Sequence, residues 1–341
     1  SENYLRALLS AADAGLKILE AWRQAARLGP YEKDPAMALA IGRRLSGGQY
    51  GAVHVEKPAM LPYLPARLRL PIVLDTFAYG LTGAVRALCN EPGPLTRARN
   101  LLRLLRFAAF DAFCWPVTQC VVVVSEVDRQ RCLRNHPGRR VLVAPNGVDC
   151  TAIHPGPVRE SPRPVLLFTG DMSFDPNVQA ACALVARVFP QVRRGCPEVE
   201  LRLVGRNPHP RVLALKAPGV VVTGEVPEML PHLQEATVYV APLQTGAGTR
   251  TKLLEAMAAG LPVVTTRVGL EGIEATDGDE AVIADDPDAA AAAILRLLAD
   301  PATRRRLGNA ARRLVENRYD WSQCLAPLEP LYAEILGKRA A

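Results

Sequence analysis

The stretch 242–266, PLQTGAGTRTKLLEAMAAGLPVVTT, constrains the fold of this chain more than any other. It follows an apolar run ending at Ala241. It then holds a Gly-rich loop, a helix that begins near Thr251 and stops at Gly260, and a second apolar run, 262–265. That order is strand, loop, helix, strand, the βαβ unit of a parallel sheet. Gly246 and Gly248 let the backbone approach a ligand closely, and the helix that follows points unpaired N–H groups at it. Arg250 and Lys252 stand at the helix entrance, where the macrodipole disfavours cations, so their placement points to an anionic partner such as a phosphate or diphosphate. An ordinary βαβ turn with solvated basic residues accounts for the same residues equally well. The spacing is neither a Walker A loop nor GxGxxG.

A length of 341 residues exceeds the usual size of one core, so two domains are expected. The formal net charge of +7 favours anionic partners, while aromatic residues at 5% and the lack of an RNA-binding or zinc-finger signature argue against nucleic acid. The eight cysteines have no CxxC or Cys/His metal spacing and read as reduced, mostly buried thiols of a cytoplasmic protein. No run approaches the roughly 18 apolar residues of a membrane span, so the chain is expected to be soluble or, at most, peripheral on the inner face of the membrane.

Apolar positions at helical spacing run through residues 3–28, and a second helix is expected over 35–45. Short apolar runs at 52–55 and 71–74 read as buried strands. His54 and Glu56 at the end of the first, and Asp75 and Thr76 at the end of the second, stand where open parallel sheets place ligand contacts; loop or cap roles explain them as well. A helix over 96–115 mixes arginines with large apolar residues. It can pack one face on its sheet or rest on an anionic membrane surface. Strands at 121–124 and 141–144 flank a helix to about Asn135, and a Pro-rich linker follows at 151–164. A second α/β series restarts with strands at 165–169, 200–204, 220–223 and 238–241, then the opening βαβ unit, a strand near 281–284 and three helices, the last over 321–336.

Read in order, VVVVSE at 121–126, APNGVD at 144–149, FTGDMSFDPN at 168–177, LRLVGRNP at 201–208, VTGEV at 222–226 and the opening stretch resemble the group 1 (family 4) glycosyltransferases. The resemblance covers roughly the last two thirds of the chain. It implies an α/β protein of the GT-B fold, with two Rossmann-like domains whose parallel sheets face each other across a cleft. The expected arrangement is an acceptor-side domain over 1–150, the linker 151–164, a nucleotide-sugar-binding domain over 165–320 and a C-terminal segment, 321–341, packing back towards the first domain. The resemblance also implies a retaining transferase that moves a sugar from a UDP- or GDP-sugar to a glycan or lipid-linked acceptor, with neither cofactor nor metal. Glu255 would hold the donor ribose, Thr223, Glu225 and Val226 would border the base, and Gly170 and Asp171 would face the phosphates. Gly246, Ala247, Gly248, Thr249, Arg250, Lys252 and Leu253 complete the implied donor site.

Three departures from the family pattern shape further expectations. Ala247 stands where many members carry the first Glu of a Glu-x7-Glu motif, and GDMSFDPN replaces an Arg and Lys after the strand at 165–169, so Arg250 and Lys252 are expected to neutralise the diphosphate. The chain opens on a helix instead of the family's first strands, so the N-terminal domain is expected to be incomplete. Arg250, Lys252, His54 and Asp75 are the catalytic candidates, with His54, Glu56, Asp75 and Thr76 on the acceptor side. A sugar-nucleotide epimerase and a non-catalytic nucleotide-sugar-binding or scaffold protein remain as alternatives.

Overall fold

The computed structural model describes residues 34–65, 67–76, 93–157, 163–245 and 249–337. The helix expected over 3–28 and the loop residues Gly246, Ala247 and Gly248 lie outside the described residues. Two compact units emerge. One comprises the described residues up to Val123, Asp128–Val143 and the stretch from Pro330; the other comprises Val124–Val127 and Ala144–Glu329.

In the first unit, helix α1 (Pro35–Ser46) starts where the Asp34 carboxylate accepts from the Ala36 N–H, with Pro35 supplying a helical φ at its first position. Four parallel strands follow in the order β1-β2-β3-β4, namely β1 (Val53–Glu56), β2 (Ile72–Thr76), β3 (Cys120–Val123) and β4 (Val141–Val143). The crossovers are α2 (Pro94–Val117), between β2 and β3, and α3 (Glu126–Asn135), between β3 and β4. Val55, Ile72, Leu74, Val121 and Val123 share one face and pack on Leu61 and Cys132. Every residue of β3 is buried, as the uninterrupted apolar run requires of a strand covered on both faces.

One sequence expectation is corrected here. His54 and Glu56 lie inside β1, and Asp75 and Thr76 inside β2, because the ladder runs past the apolar residues. Glu56 pairs in register with Asp75, and the Lys57 N–H still donates to the Asp75 carbonyl at 3.0 Å. Charge ended the apparent strand before the backbone did.

The second unit holds β5 (Val165–Thr169), β6 (Glu200–Val204), β7 (Val220–Gly224), β8 (Val238–Ala241), β9 (Val263–Thr265) and β10 (Val282–Ile283). All pair in parallel, in the order β10-β9-β8-β5-β6-β7. The chain therefore winds outward from β5 through β6 to β7, returns to the other side of β5, and winds outward again. That reversal leaves a crevice beyond the carboxyl ends of β5 and β8, where doubly wound sheets bind ligands.

Helix α4 (Asp175–Ala183) follows β5 and runs through a π turn at Leu184–Val188 into α5 (Phe189–Gly195). Phe189 donates to the Leu184 carbonyl across the widened turn, and Pro190, with no N–H to give, comes next. The further helices are α6 (Pro210–Leu213), α7 (Leu230–Glu235), α8 (Thr251–Ala258), α9 (Arg267–Leu270), α10 (Pro287–Ala299), α11 (Pro301–Arg318), α12 (Trp321–Leu325) and α13 (Leu328–Gly337). Asp286 caps α10, Asp300 caps α11 and Asp320 caps α12, each carboxylate accepting backbone N–H groups of the first turn. The single terminal helix expected over 321–336 is broken into α12 and α13, with Pro327 at the break.

Arg312 of α11 binds three segments of this unit together. Its Nη1 donates to the Ile153 carbonyl at 2.6 Å and also to the Ala258 carbonyl, its Nη2 donates to the Cys150 carbonyl at 2.8 Å, and its Nε donates to Glu316 at 2.6 Å. The guanidinium thus sits at the last residue of α8, where a cation complements the helix dipole.

Candidate functional site

Glycines draw the strand ends of the second unit together. The Gly170 N–H, just past β5, donates to the Val204 carbonyl at 3.1 Å, and the Gly205 N–H, past β6, donates to Gly224 at the end of β7 at 3.1 Å. Gly205 has φ +155°, and a Cβ on it would lie 1.7 Å from the Gly170 carbonyl oxygen. Gly170 has φ +152°, and a Cβ there would lie 2.5 Å from Lys252 Nζ and 2.8 Å from Asn177 Nδ2. The absent side chains are what admits Lys252 to the crevice.

Lys252 reaches this point from the first turn of α8. The side chain of its N-cap residue, Arg250, does not cap that helix, and the Leu253 N–H already donates to the Arg250 carbonyl at 2.9 Å, so the N–H groups of Thr251 and Lys252 are the ones left at the helix entrance. Leu253, Leu254, Ala256, Met257 and Ala258 are buried and fix the helix against the sheet. The Lys252 ammonium donates to Asn177 Oδ1 at 2.6 Å and lies 4.6 Å from the centre of the Phe168 ring. Burial first, and the Arg250 charge second, lower its pKa to about 7, with Glu255 opposing. Burial raises the pKa of Glu255, one turn along, and Lys252 pulls against that rise. Behind them the buried Tyr239 hydroxyl pairs with Thr169 Oγ1 at 2.8 Å, and burial raises its pKa too.

The remaining donor-side candidates are spread around these strand ends. The Asp171 carboxylate is occupied within its own loop: it accepts from Ser173 Oγ at 2.7 Å, from the Ser173 N–H at 3.0 Å and from Arg206 Nε at 3.0 Å. The Ser173 bonds, then Arg206, hold its pKa at about 2. Thr223 Oγ1 donates to the Gly224 carbonyl at 2.9 Å, Glu225 is exposed, and Val226 packs on the core. Thr249 is buried and donates from Oγ1 to the Val124 carbonyl at 3.1 Å.

The acceptor-side candidates belong to the first unit. His54 Nε2 lies 3.7 Å from Asp75 Oδ2, and its Nδ1 is hydrogen-bonded to the Tyr332 hydroxyl of α13. Glu56 is exposed, whereas Thr76 is buried at the end of β2. Sequence reasoning assigned no role to Asn177, Phe168, Arg206 or Tyr332. A signal existed for Asn177, which follows Asp175-Pro176 at a helix start within a quoted motif, but nothing local marks Tyr332. Among the described residues no group of three or more side chains could hold a metal ion.

The family model described as Glycosyl transferases group 1 matches residues 163–300. A GDP-mannose-dependent alpha-(1-6)-phosphatidylinositol monomannoside mannosyltransferase of Mycolicibacterium smegmatis is 33% identical over 174 residues, 46% of this chain and 45% of that protein. A phosphatidyl-myo-inositol mannosyltransferase of the same organism is 30% identical over 267 residues, 74% of this chain and 68% of that protein. The chain belongs to the group 1 glycosyl transferases.

The match thus spans under half the length of the first of these relatives and about two thirds of the second. Among solved structures, a sucrose-phosphate synthase from Thermosynechococcus elongatus superposes with a TM-score of 0.67 at 19% identity, covering 91% of this chain and 82% of that one. This likeness shows the fold, which is the GT-B class implied by the sequence motifs. The residues matched to the group 1 glycosyl transferase family include Gly170, Asp171, Asn177, Lys252 and Glu255, and exclude His54, Glu56, Asp75 and Thr76.

Proposed function

We propose that the chain is a retaining, metal-independent glycosyltransferase that moves a sugar from a UDP- or GDP-sugar to a glycan or lipid-linked acceptor in polysaccharide or glycoconjugate synthesis. The observation that carries this reading is the Lys252 ammonium at the switch point of the six-stranded sheet, desolvated and held by a neutral amide. When the bond from the sugar's anomeric carbon to the diphosphate breaks, negative charge grows on the leaving oxygens. Lys252, Arg250 and the first N–H groups of α8 supply positive charge there before the reaction starts. Glu255, further along the helix, offers carboxylate oxygens to the two ribose hydroxyls. The two mannosyltransferases similar to this chain, one named as GDP-mannose-dependent and both as acting on phosphatidylinositol or its mannoside, support a GDP-sugar donor and a lipid-linked acceptor.

On the acceptor side, the reading places proton handling at His54 and Asp75, whose facing atoms are 3.7 Å apart. A cytoplasmic location with α2 resting on an anionic inner membrane face is supported by the exposure of Leu101, Leu102 and Leu105 beside the exposed Arg97 and Arg99. Among the described residues no helix is long and apolar enough to cross a membrane.

A thermal-shift panel of GDP- and UDP-sugars tests the donor assignment. A ligand at about 100 times its Kd adds about 2.7 kcal/mol to the folded state. A bound donor is expected to raise the melting temperature of the wild type and to lose most of that effect in Glu255→Ala. A shift that Glu255→Ala retains overturns the ribose role, and no shift with any donor overturns the donor site.

A further inference from the structure

Asn177 is buried at the first turn of α4, with 6% of its surface exposed, and both ends of its amide are used. Nδ2 donates to the Asp171 carbonyl at 2.8 Å, and Oδ1 accepts from Lys252 Nζ at 2.6 Å. These partners fix the orientation of the amide, since a flip would set its NH2 against an ammonium and its oxygen against a carbonyl. A lysine on a four-carbon stem loses much rotamer freedom when one geometry is demanded of it. Here the Asn177 oxygen, the Phe168 ring and the missing Cβ of Gly170 together define that geometry.

We infer that Asn177 is a positioning residue that holds the Lys252 ammonium at the carboxyl end of β5 without neutralising it, leaving the charge free for the diphosphate of the donor. The inference rests on the donor site proposed above and adds a residue and a chemical reason to it. A carboxylate in the same place would form an ion pair with which the diphosphate must compete; an amide orients the cation and leaves its field intact. The groups around Lys252 are Arg250 and Glu255 on α8, Asn177 on α4, Phe168 on β5 and, beyond Asn177, Asp171, whose charge is tied to Ser173 and Arg206. With the ammonium lowered to about 7 in the free protein, donor binding above that pH draws a proton onto Lys252.

Titration calorimetry of the full chain with GDP-mannose and UDP-glucose between pH 6 and pH 8 tests this, because neither the diphosphate nor the base of either donor changes its charge appreciably in that range. In the wild type, affinity is expected to fall as the pH rises above about 7. Asn177→Ala should weaken binding at least about tenfold at pH 8 and move the fall to lower pH, since the charged lysine has lost its acceptor. Asn177→Asp should move it to higher pH, since an ion pair keeps the lysine charged. Lys252→Ala should abolish the pH dependence. The inference is overturned if both Asn177 variants, folded by circular dichroism, keep the wild-type profile. If Asn177→Ala does not fold, the direction of the shift in Asn177→Asp decides alone. Should the wild type bind neither donor, or Lys252→Ala bind as the wild type does, the donor site itself is wrong and the role of Asn177 fails with it.

Discussion

The two parallel sheets end in opposite ways. At the carboxyl ends of the six-stranded sheet the backbone is bare, with Gly170, Gly205 and Gly224 closing three successive strands, and the charge brought there is a desolvated lysine on a neutral amide. In the four-stranded sheet His54 on β1 and Asp75 on β2 face each other, and His54 is also hydrogen-bonded to Tyr332 of α13. A site whose own residues leave a charge uncompensated is prepared for a ligand of opposite charge, whereas a self-satisfied cluster gains less from one. The strand ends suited to an anion are therefore those of the second unit.

Substitution at the glycine ends should have the largest effect. Gly205→Ala forces a Cβ into the Gly170 carbonyl, which is backbone and cannot swing aside, and it does so at φ +155°. A loss of about 3 kcal/mol is expected in denaturant unfolding. A loss under about 0.5 kcal/mol would mean that the strand ends are looser than the geometry requires.

Lys252 should follow. Lys252→Met is expected to weaken nucleotide-sugar binding by about 2 kcal/mol. It should also change the pH dependence of stability. The lysine has a pKa of 10.5 when unfolded and about 7 when folded, so between those values the unfolded chain binds the extra proton and wild-type stability rises with pH. The melting temperature of the wild type relative to Lys252→Met should therefore increase from pH 7 to pH 10. A flat difference would show that the ammonium is not desolvated.

Tyr332→Phe should have the smallest effect. It removes the His54 partner on α13 at a site that water can reach, so a loss of about 1 kcal/mol is expected. Nucleotide-sugar affinity should be unchanged, and any loss of it would erase the contrast between the two sheets.

What could be read from the sequence was what is local. The strands Val165–Thr169 and Val238–Ala241 match their expected ranges residue for residue, because strands buried on both faces of a parallel sheet carry little polar interruption, and Glu200–Val204 matches through the alternation of its buried leucines with Glu200 and Arg202. Arg250 and Lys252 advertised their placement by standing at the unfavourable end of a helix. What escaped was pairing at a distance. Lys252 meets Asn177 across 75 residues and His54 meets Tyr332 across 278, and no periodicity encodes either meeting. The strand ends at Glu56 and at Asp75 and Thr76 were misjudged for a related reason, since register is a property of two strands and polarity of only one.

Arg312 gives the second unit a mechanical property. One planar side chain grips the carbonyls of Cys150, Ile153 and Ala258, so the segment that opens the unit and the helix that presents Lys252 share a single rivet. Any tilt of α8 on binding a donor must then carry residues 150–153 with it. A lysine at 312, with one compact ammonium in place of a flat fork, could not hold all three carbonyls, and the two segments would pivot separately.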